Sequence, residues 1–227
     1  MDLDKKLYFL DGIYRIYDEF IQPQPLACKR RCAACCTCNM TLTTLEAYRV
    51  HSALDGSQKK SLETAIHRTA CRQRFQPRLT TNQIAGLCMA DQDVPDEAID
   101  PNAGQCPLLV LLECSIYDHR PFGCRCMVSK VRCDQTGYAD MDEVVLTVNN
   151  LFLQYIEHID VPGLSGNFID VLTFLSNEDN RRNYRSGKLS KDHRHLIPNS
   201  PIPAVMIPPR HRQKIQPILL SLRELLG

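Results

Sequence analysis

The stretch Cys28-Lys-Arg-Arg-Cys32-Ala-Ala-Cys35-Cys36-Thr-Cys38 places five thiols within eleven residues. Cysteine packs like a small hydrophobe, so a core that needed it only for packing would scatter it among apolar neighbours. Here basic residues at 29–31 follow the first thiol, and such neighbours are expected to lower thiol pKa values and favour the metal-binding thiolate. Gaps of two residues let two sulfurs turn toward one centre, as in zinc and iron–sulfur sites. The stretch therefore predicts a metal site, with a disulfide knot or a redox thiol cluster as alternatives.

Composition indicates one soluble globular domain. The chain has 227 residues, of which 44% are hydrophobic and 23% charged, and its net charge of +1 argues against binding to nucleic acid or to an anionic membrane. It contains no run of eighteen apolar residues, and its N-terminus has an amphipathic pattern unlike that of a signal peptide. We therefore expect a cytoplasmic protein. In that reducing compartment, twelve clustered cysteines point to metal binding or catalysis more than to disulfides.

Apolar periodicity predicts a mainly α, single domain of about six to seven helices, with irregular cysteine-rich loops and a possible short β-ribbon around a metal centre. The cysteine-cluster core is expected to cover about 26–134, with helical extensions at 1–25 and 135–227. The predicted helices are 3–21, 44–53, 58–75, a short one near 81–90, 141–157, 167–176 and 215–226.

Local signals mark where several of these elements begin and end. Thr43-Thr44-Leu45-Glu46 has the pattern of a capping box, Asp55-Gly56 is expected to close the second helix, and Asp140 is expected to cap the helix at 141. The acidic segment 91–104, which includes Asp100 and Pro101, predicts a surface loop. Residues 178–196 are charged and poor in apolar residues, and five prolines in 197–209 predict an extended strap.

A second cysteine block contains Cys106, Cys114, Cys124 and Cys126, and Cys133 follows it. The continuously apolar run 108–112 predicts a short buried strand or ribbon. Turn signals at Arg120-Pro121 and Gly123 are expected to return the chain so that Cys124 approaches Cys114. Outside the two blocks, Cys71 and Cys88 have no chelating neighbour, so we expect them to be buried structural thiols.

The two blocks together resemble a known family. Cys28, Cys32, Cys35 and Cys36 fit a CxxCxxCC pattern with three residues in the first gap, and Leu-Thr-x-x-Glu follows at 42–46. The second block is similar to Cys-Pro-Leu-Leu…Cys-x-Ile-Tyr-x-x-Arg-Pro-x-x-Cys-Arg, at 106–109, 114–117 and 120–125. The chain thus resembles the YkgJ-type cysteine-cluster proteins over about residues 26–126. The chain departs from the family pattern in two ways. It has Val110-Leu111-Leu112 where members often have a polar Asp/Gly turn, and it has additional thiols.

The resemblance implies a zinc- or iron-chelating domain, and the activity of this family is largely undefined. A related branch, the flagellin lysine methylases, is thought to use an iron–sulfur cluster. The metal ligands that it implies are Cys28, Cys32, Cys35, Cys36, Cys106, Cys114 and Cys124. The extra thiols form a second tier of candidates: Cys38, Cys126 and Cys133.

Ligand type favours an iron–sulfur cluster, of the [4Fe–4S] type, over Zn²⁺, which stays the alternative. Structural zinc needs four ligands and often includes closely spaced histidines, whereas the seven histidines do not pair with the cysteine blocks. Only His119 lies inside a block, and we interpret it as a surface turn residue. Seven cysteines exceed one zinc site, and all-thiolate ligation suits iron–sulfur clusters.

Two basic residues are candidates for contacts with such a cluster. Four thiolates around an oxidised [4Fe–4S] core leave a net charge near −2, which is unfavourable to bury unpaired. Arg120 and Arg125 lie near Cys124 in sequence and could donate hydrogen bonds to sulfur. The simpler interpretation of each is an ion pair with Asp118 or Glu113; we favour the cluster role for Arg125, which lies between two thiols.

Other chemistries find little support. The chain lacks the Gly-rich motifs of nucleotide-binding proteins. The spacing of Cys28, Cys32 and Cys35 matches the radical-SAM triad, but no alternation of strands and helices accompanies it. Two classes stay open: a redox or catalytic iron–sulfur protein, and a zinc-stabilised or metal storage and delivery protein. The sequence does not decide whether the chain is an enzyme, or whether its partner is a small molecule or a redox protein.

Overall fold

The computed structural model describes residues 1–97, 103–189 and 193–227, and this part of the chain is mainly helical. Asp100 and Pro101 of the predicted acidic loop lie outside the described residues. Two short 3₁₀ turns cover Tyr117–His119 and Pro209–His211. The α-helices are α1 Leu3–Ile21, α2 Thr44–Ala53, α3 Gly56–Thr69, α4 Thr81–Met89, α5 Phe122–Arg125, α6 Cys133–Thr136, α7 Glu143–Ile159, α8 Phe168–Ser176, α9 Glu178–Arg185 and α10 Arg212–Leu226.

In the described ranges, two small antiparallel sheets accompany the helices. The strands β1 (Thr41–Thr43), β4 (Leu164–Asn167) and β5 (Leu196–Pro198) form a three-stranded sheet in the order β1-β4-β5, which the sequence did not predict. The strands β2 (Leu109–Val110) and β3 (Glu113–Cys114) form a hairpin, with Leu109 opposite Cys114. This hairpin is the expected ribbon.

The prediction that the apolar run 108–112 is buried is correct for Leu108, which is 3% exposed, and wrong for the last three residues. Leu111, in the two-residue turn, is 93% exposed, and Val110 and Leu112 are also exposed. Leu111 and Leu112 have φ values of 49° and 65°. Two-residue hairpin turns of type I′ need positive φ at both positions, because that geometry matches the twist of the flanking strands. Backbone geometry, rather than apolar burial, governs this segment.

The ends of several helices differ from the prediction. The capping box at α2 is confirmed, since the Thr43 side chain accepts from the Glu46 N–H and the Glu46 side chain accepts from the Thr43 N–H. Asp55 does not close α2; it caps α3 in a second capping box. The helix predicted to reach 75 ends at Thr69, and α7 follows Asp142 rather than Asp140.

Helix α9 was missed because it is polar nearly all round, and Tyr184 is its buried residue. An apolar stripe is the main sequence signal of a helix. Here the Asn177 side chain caps the first turn instead, accepting from the N–H groups of Asp179 and Asn180.

One hydrophobic core joins helices from both ends of the chain. Tyr17 of α1 and Phe152 of α7 meet Phe122 of α5, with ring centroids 4.8–5.6 Å apart. Such edge and stacked aromatic pairs stabilise beyond their buried area, by about 0.5–1.5 kcal/mol each. Tyr17 is buried, and its hydroxyl donates to Asn149 of α7 at 2.9 Å. Phe122 lies two residues before Cys124, so this core also anchors the second cysteine block.

A buried carboxylate ties the two ends of the chain to α2. Asp160, which is 0% exposed, accepts hydrogen bonds from Thr44, Leu45, Tyr184 and Asn199. The Lys6 ammonium of α1 lies 3.6 Å away. Burial raises the pKa of Asp160 to about 6, against the opposing effect of Lys6.

The proline-rich strap lies along α7. Ser200 and Met206 of the strap donate backbone N–H groups to the side chains of Glu157 and Gln154, at 2.8 and 2.9 Å. Because proline has no N–H, the strap has few backbone donors for regular pairing with another strand. Hydrogen bonds to side chains of α7 attach it to the helix instead. None of the helices in the described ranges is long and apolar enough to cross a bilayer.

Candidate metal centre

Thiols from both cysteine blocks line one cavity of about 220 Å³. They come from the loop between α1 and β1, from the residues around the β2–β3 hairpin, and from α5. A buried polar space of roughly 10–15 Å³ already accommodates one water molecule, so this cavity is much larger than a site for a single small ligand. The cysteines that line it are Cys28, Cys32, Cys35, Cys36, Cys106, Cys114 and Cys124. These are the seven that the family resemblance implies as ligands.

The remaining cysteines lie elsewhere. Cys38 and Cys126 are buried, and their thiols donate to the carbonyl oxygens of Gln105 and Gly123, at 3.2 and 3.5 Å. Cys133 is half-buried and does not line the cavity.

Cys71 and Cys88 are exposed, so the prediction that they are buried is wrong. Each lies at or beyond the end of a helix, where its side chain meets solvent rather than the core. All twelve cysteines are among the described residues, and all are free thiols.

Backbone hydrogen bonds bring the two blocks together without a ligand. The Cys106 N–H donates to the Cys36 carbonyl at 2.9 Å, and the Cys38 N–H donates to the Gly104 carbonyl at 3.0 Å. Thr37 forms an isolated β-bridge with Gln105 between these contacts. These contacts satisfy backbone groups that would otherwise be desolvated and unpaired.

Side chains around Tyr117, which lines the cavity, add a second connection. The Tyr117 ring contacts two guanidinium groups. The distance from the guanidinium carbon to the ring centroid is 4.5 Å for Arg30 and 3.8 Å for Arg120. Arg30 also pairs with Asp118 at 2.5 Å and with Glu113 at 3.5 Å. Exposed ion pairs stabilise little, so this cluster chiefly orients the first cysteine loop against the second block. Sequence reasoning did not pair Arg30 with Tyr117, because no local pattern connects them.

Glu46 has a role that sequence reasoning missed. The carboxylate is 2% exposed, and its Oε1 accepts from the Phe122 N–H at 2.7 Å and from the Tyr14 hydroxyl at 2.9 Å. Its Oε2 accepts from the Thr43 N–H at 2.9 Å, which is the capping-box contact. One carboxylate thus joins α1, the start of α2 and the start of α5, which carries Cys124. Its place in the Leu-Thr-x-x-Glu motif was the signal that could have pointed to it.

Close packing fixes α5 from the other side. A Cβ atom on Gly123 would lie 3.0 Å from both the Thr41 carbonyl oxygen and Met40. This is tighter than ordinary van der Waals contact, so a larger side chain would push α5 away from β1. Glycine therefore brings Cys124 close to the strand that follows the first cysteine loop.

Thiol acidity in the cavity is governed by burial more than by the basic residues. Burial raises the pKa of Cys28, Cys114 and Cys124, and raises that of Cys106 to about 12. The expectation that residues 29–31 lower the thiol pKa values is wrong, because Arg30 and Arg31 point to the carboxylates of Glu113 and Asp118. Metal binding to such thiols would release protons.

Cys36 is the exception among the thiols of the cavity. It accepts a hydrogen bond from the Cys35 thiol, which lowers the pKa of Cys36 and, together with burial, raises that of Cys35.

The two candidate arginines have different surroundings. The charge of Arg120 opposes the effect of burial on the pKa values of Cys35, Cys114 and Cys124, which places its guanidinium near those sulfurs. Arg125 lines the cavity too. Its guanidinium, however, donates to the carbonyls of Arg120 and Asp118 at 2.8 and 3.1 Å, and pairs with Asp18 at 3.5 Å.

The thiols are gathered but do not converge. Among the residues that the structure describes, no three His, Cys, Asp or Glu side chains are placed to hold a metal ion together. Zinc-bound sulfurs lie about 2.3 Å from the metal, so binding would require rotations of the thiols about their Cα–Cβ bonds. The donor set nevertheless fits an iron–sulfur cluster, because thiolates are its usual ligands and the cavity has room for a group of several atoms.

Comparison of the chain with protein-family models, with curated proteins and with solved structures found no match. The likeness to the YkgJ-type proteins therefore rests on the two cysteine motifs alone.

Proposed function

We propose that this chain is a YkgJ-type, cysteine-ligated metal-binding protein that carries an iron–sulfur cluster of the [4Fe–4S] type. The observation that supports it most is the lining of one cavity. Seven of twelve cysteines, from segments up to 96 positions apart in the sequence (Cys28 to Cys124), meet there, and they are the seven of the family motif. A core that used cysteine only as a small hydrophobe would not gather them around open space.

The protein's contribution would be ligation, charge balance and shielding. The thiolates would come from the seven lining cysteines, and Arg120 would offset part of their negative charge. Apolar side chains such as Ile21, Leu26 and Leu109 line the same cavity and limit the access of water. When bound, such a cluster supplies one-electron transfer at a potential tuned by hydrogen bonds and solvent exposure.

We place the protein in a reducing compartment such as the cytoplasm. Twelve free thiols, several of them close together, would be prone to disulfide formation in an oxidising one. Under this proposal, the partner is a redox protein or a small molecule that reaches the cavity.

The test is metal analysis of anaerobically purified protein. Iron and acid-labile sulfide are expected, together with a brown colour. Cys124→Ser should lose most of both, because its thiol lines the cavity and belongs to the family motif. The exposed Cys71→Ala and Cys88→Ala variants should keep both. A colourless protein that holds stoichiometric zinc and takes up no sulfide on anaerobic reconstitution would refute the iron–sulfur proposal in favour of a zinc protein.

A further inference from the structure

An exposed apolar rim borders the thiol cavity. We use this name for Val110, Leu111 and Leu112 of the β2–β3 hairpin and for Met127, which lies just beyond α5. Leu111 is 93% exposed, and the other three residues are 40–59% exposed. Leu112 and Met127 also line the cavity, so the apolar rim is continuous with the wall that surrounds the thiols. Single exposed apolar residues are common, whereas several beside one cavity indicate a contact surface.

The backbone of the hairpin tip is unfavourable for the residues that occupy it. In the described ranges five residues other than glycine have positive φ, and three of them lie in the two segments that line this cavity: Arg31, Leu111 and Leu112. Asparagine or glycine would adopt this turn more readily than leucine. The two leucines are therefore unfavourable for the free fold in two ways, because their backbone is strained and their side chains face water. Such features concentrate at functional sites.

Basic side chains surround the same cavity. Four of the five charged residues that line it are basic: Lys29, Arg31, Arg120 and Arg125, against Asp18. Lys29 and Arg31 are exposed, so their charges act beyond the surface of the protein. Asp118 and Glu113 offset the charges of Arg30 and Arg31, and Asp18 offsets that of Arg125. Lys29 and Arg120 remain in excess, so this part of the surface is net basic, although the whole chain carries a charge of only +1.

The size and charge of this surface argue against a second copy of the chain as its occupant. Obligate dimers bury about 2,000–5,000 Å², far more than four apolar side chains provide. A two-fold axis would also bring one basic surface against an identical one. Weak electron-transfer encounters, by contrast, bury less than about 1,200 Å², and opposite charges on the two partners accelerate their association. The apolar rim has the size and the charged surroundings of such an encounter surface.

We propose that the apolar rim, together with Lys29, Arg31 and Arg120, is the docking surface for an acidic electron-carrier protein. The inference rests on the proposed iron–sulfur function and adds to it the kind of partner. The leucines would contact an apolar patch of the carrier, and the basic residues would attract the carboxylates around that patch. One electron would pass between the carrier and the bound centre, so one is oxidised as the other is reduced, and no bond forms or breaks.

The test measures the affinity of the full-length, anaerobically purified protein for an immobilised acidic ferredoxin at low and at high salt. Cytochrome c, a basic electron carrier, is the comparison probe. The main variant is Leu111→Asn combined with Leu112→Gly, which puts residues suited to positive φ into the turn and should stabilise the fold. Lys29→Glu tests the contribution of charge.

Each variant has a matched control elsewhere on the surface. Leu220→Gln replaces a leucine of α10 that is 47% exposed. Lys60→Glu changes the net charge as Lys29→Glu does, but at an exposed position of α3. Iron and sulfide are measured in every protein, so that a change in the metal content is not mistaken for a change in docking.

The native protein is expected to bind ferredoxin but not cytochrome c, and to bind it more weakly at high salt. The double variant and Lys29→Glu should each lower the affinity about tenfold, with iron and sulfide unchanged, whereas both controls should bind as the native protein does. Because the double variant should be more stable than the native protein, its loss of affinity would not be an effect of unfolding.

Three results would overturn the inference. The first is a cluster-loaded protein that does not bind ferredoxin, or binds it equally well in all variants, which leaves the proposed function intact. The second is dimerisation in analytical ultracentrifugation that is lost in the double variant, since this would assign the surface to a second copy. The third is sedimentation with vesicles of phosphatidylcholine and phosphatidylserine that is lost in the double variant, since this would assign it to a membrane. A zinc-loaded protein without sulfide that binds ferredoxin as expected would refute the iron–sulfur proposal and support the docking surface.

Discussion

Replacing Glu46 tests whether one buried carboxylate holds the cysteine layer against the helices. Four N–H or O–H groups donate to it at 2.7–3.1 Å: the N–H and the hydroxyl of Thr43, the Tyr14 hydroxyl and the Phe122 N–H. All three residues are buried. Glu46→Ala would leave these donors without a partner in a site closed to water.

The magnitude follows from the number of donors. A buried donor that loses its acceptor costs about 1–3 kcal/mol. The Thr43 hydroxyl can rotate to another acceptor, so the other three donors amount to roughly 3–6 kcal/mol after partial relaxation. Glu46→Gln keeps an acceptor for Tyr14 and Phe122 but turns an amide N–H₂ toward Thr43, and should cost about 2–3 kcal/mol. Tyr14→Phe removes one hydrogen bond, which costs about 1 kcal/mol. The expected order of destabilisation is Glu46→Ala, then Glu46→Gln, then Tyr14→Phe.

The assay is urea unfolding of the metal-free proteins, followed by circular dichroism at 222 nm, so that metal affinity does not enter the comparison. Glu178→Ala is the matched control. Glu178 is 78% exposed and pairs with Arg182 at 3.4 Å, so its removal should change the free energy of unfolding by less than about 0.5 kcal/mol. Amide hydrogen exchange at Phe122 should accelerate selectively in Glu46→Ala, because that N–H loses its acceptor.

A loss below about 1 kcal/mol in Glu46→Ala would refute this reasoning. It would show that water or another acceptor replaces the carboxylate, and that α5 does not depend on it. Equal effects of Glu46→Ala and Glu178→Ala would lead to the same conclusion.

Three further predictions follow from particular residues. Leu111→Asn combined with Leu112→Gly should raise the free energy of unfolding by about 1 kcal/mol, because the turn needs positive φ at both positions. If urea unfolding shows that the double variant is less stable, the exposed leucines make stabilising contacts. Because the pKa of Asp160 is raised from 3.8 to about 6, its contribution to the free energy of unfolding is full below pH 4 and is lost as the pH rises through 6. The free energy of unfolding of the native protein, relative to that of Asp160→Asn, should therefore fall between pH 4 and pH 6. A rise over that range would contradict the prediction. Trypsin should cut at the exposed residues 29–31 faster once metal is removed, because the flanking thiols are then free; equal cleavage rates in metal-loaded and apo protein would count against ligation by that loop.

Much of the candidate site was predictable, because its signal is local. Clustered thiols, their spacing and the turn residues around them are properties of short segments, and the seven cysteines predicted as ligands are those that line the cavity. Arg120 and Arg125 both line this cavity, but a contact of either with a cluster stays a prediction; the guanidinium of Arg125, the favoured one, contacts two backbone carbonyls and Asp18. Cys133 was ranked lower since it follows no motif, and it does not line the cavity.

Thiol acidity was not predictable in the same way. Lys29 to Arg31 are adjacent to Cys28 in sequence, but side chains two positions apart need not face the same surroundings. The arginines turn to Glu113 and Asp118, while burial controls the pKa of the Cys28 thiol. Neighbours in sequence are a poor guide to electrostatics, because charge interactions depend on distance and burial in three dimensions.

The sequence by itself determined where most helices form and which segments carry the thiols. An amphipathic period or a capping box such as that of Thr43 and Glu46 acts within a few residues, so it operates whatever the rest of the chain does. Only the tertiary structure decided which apolar residues are buried: Leu111 is exposed at a turn, and Cys71 and Cys88 face solvent. It also decided that Glu46 contacts two distant helices at once, α1 through Tyr14 and α5 through Phe122. Which residues are buried, and which residues they contact, depends on the packing of segments far apart in sequence, so no local pattern predicts it.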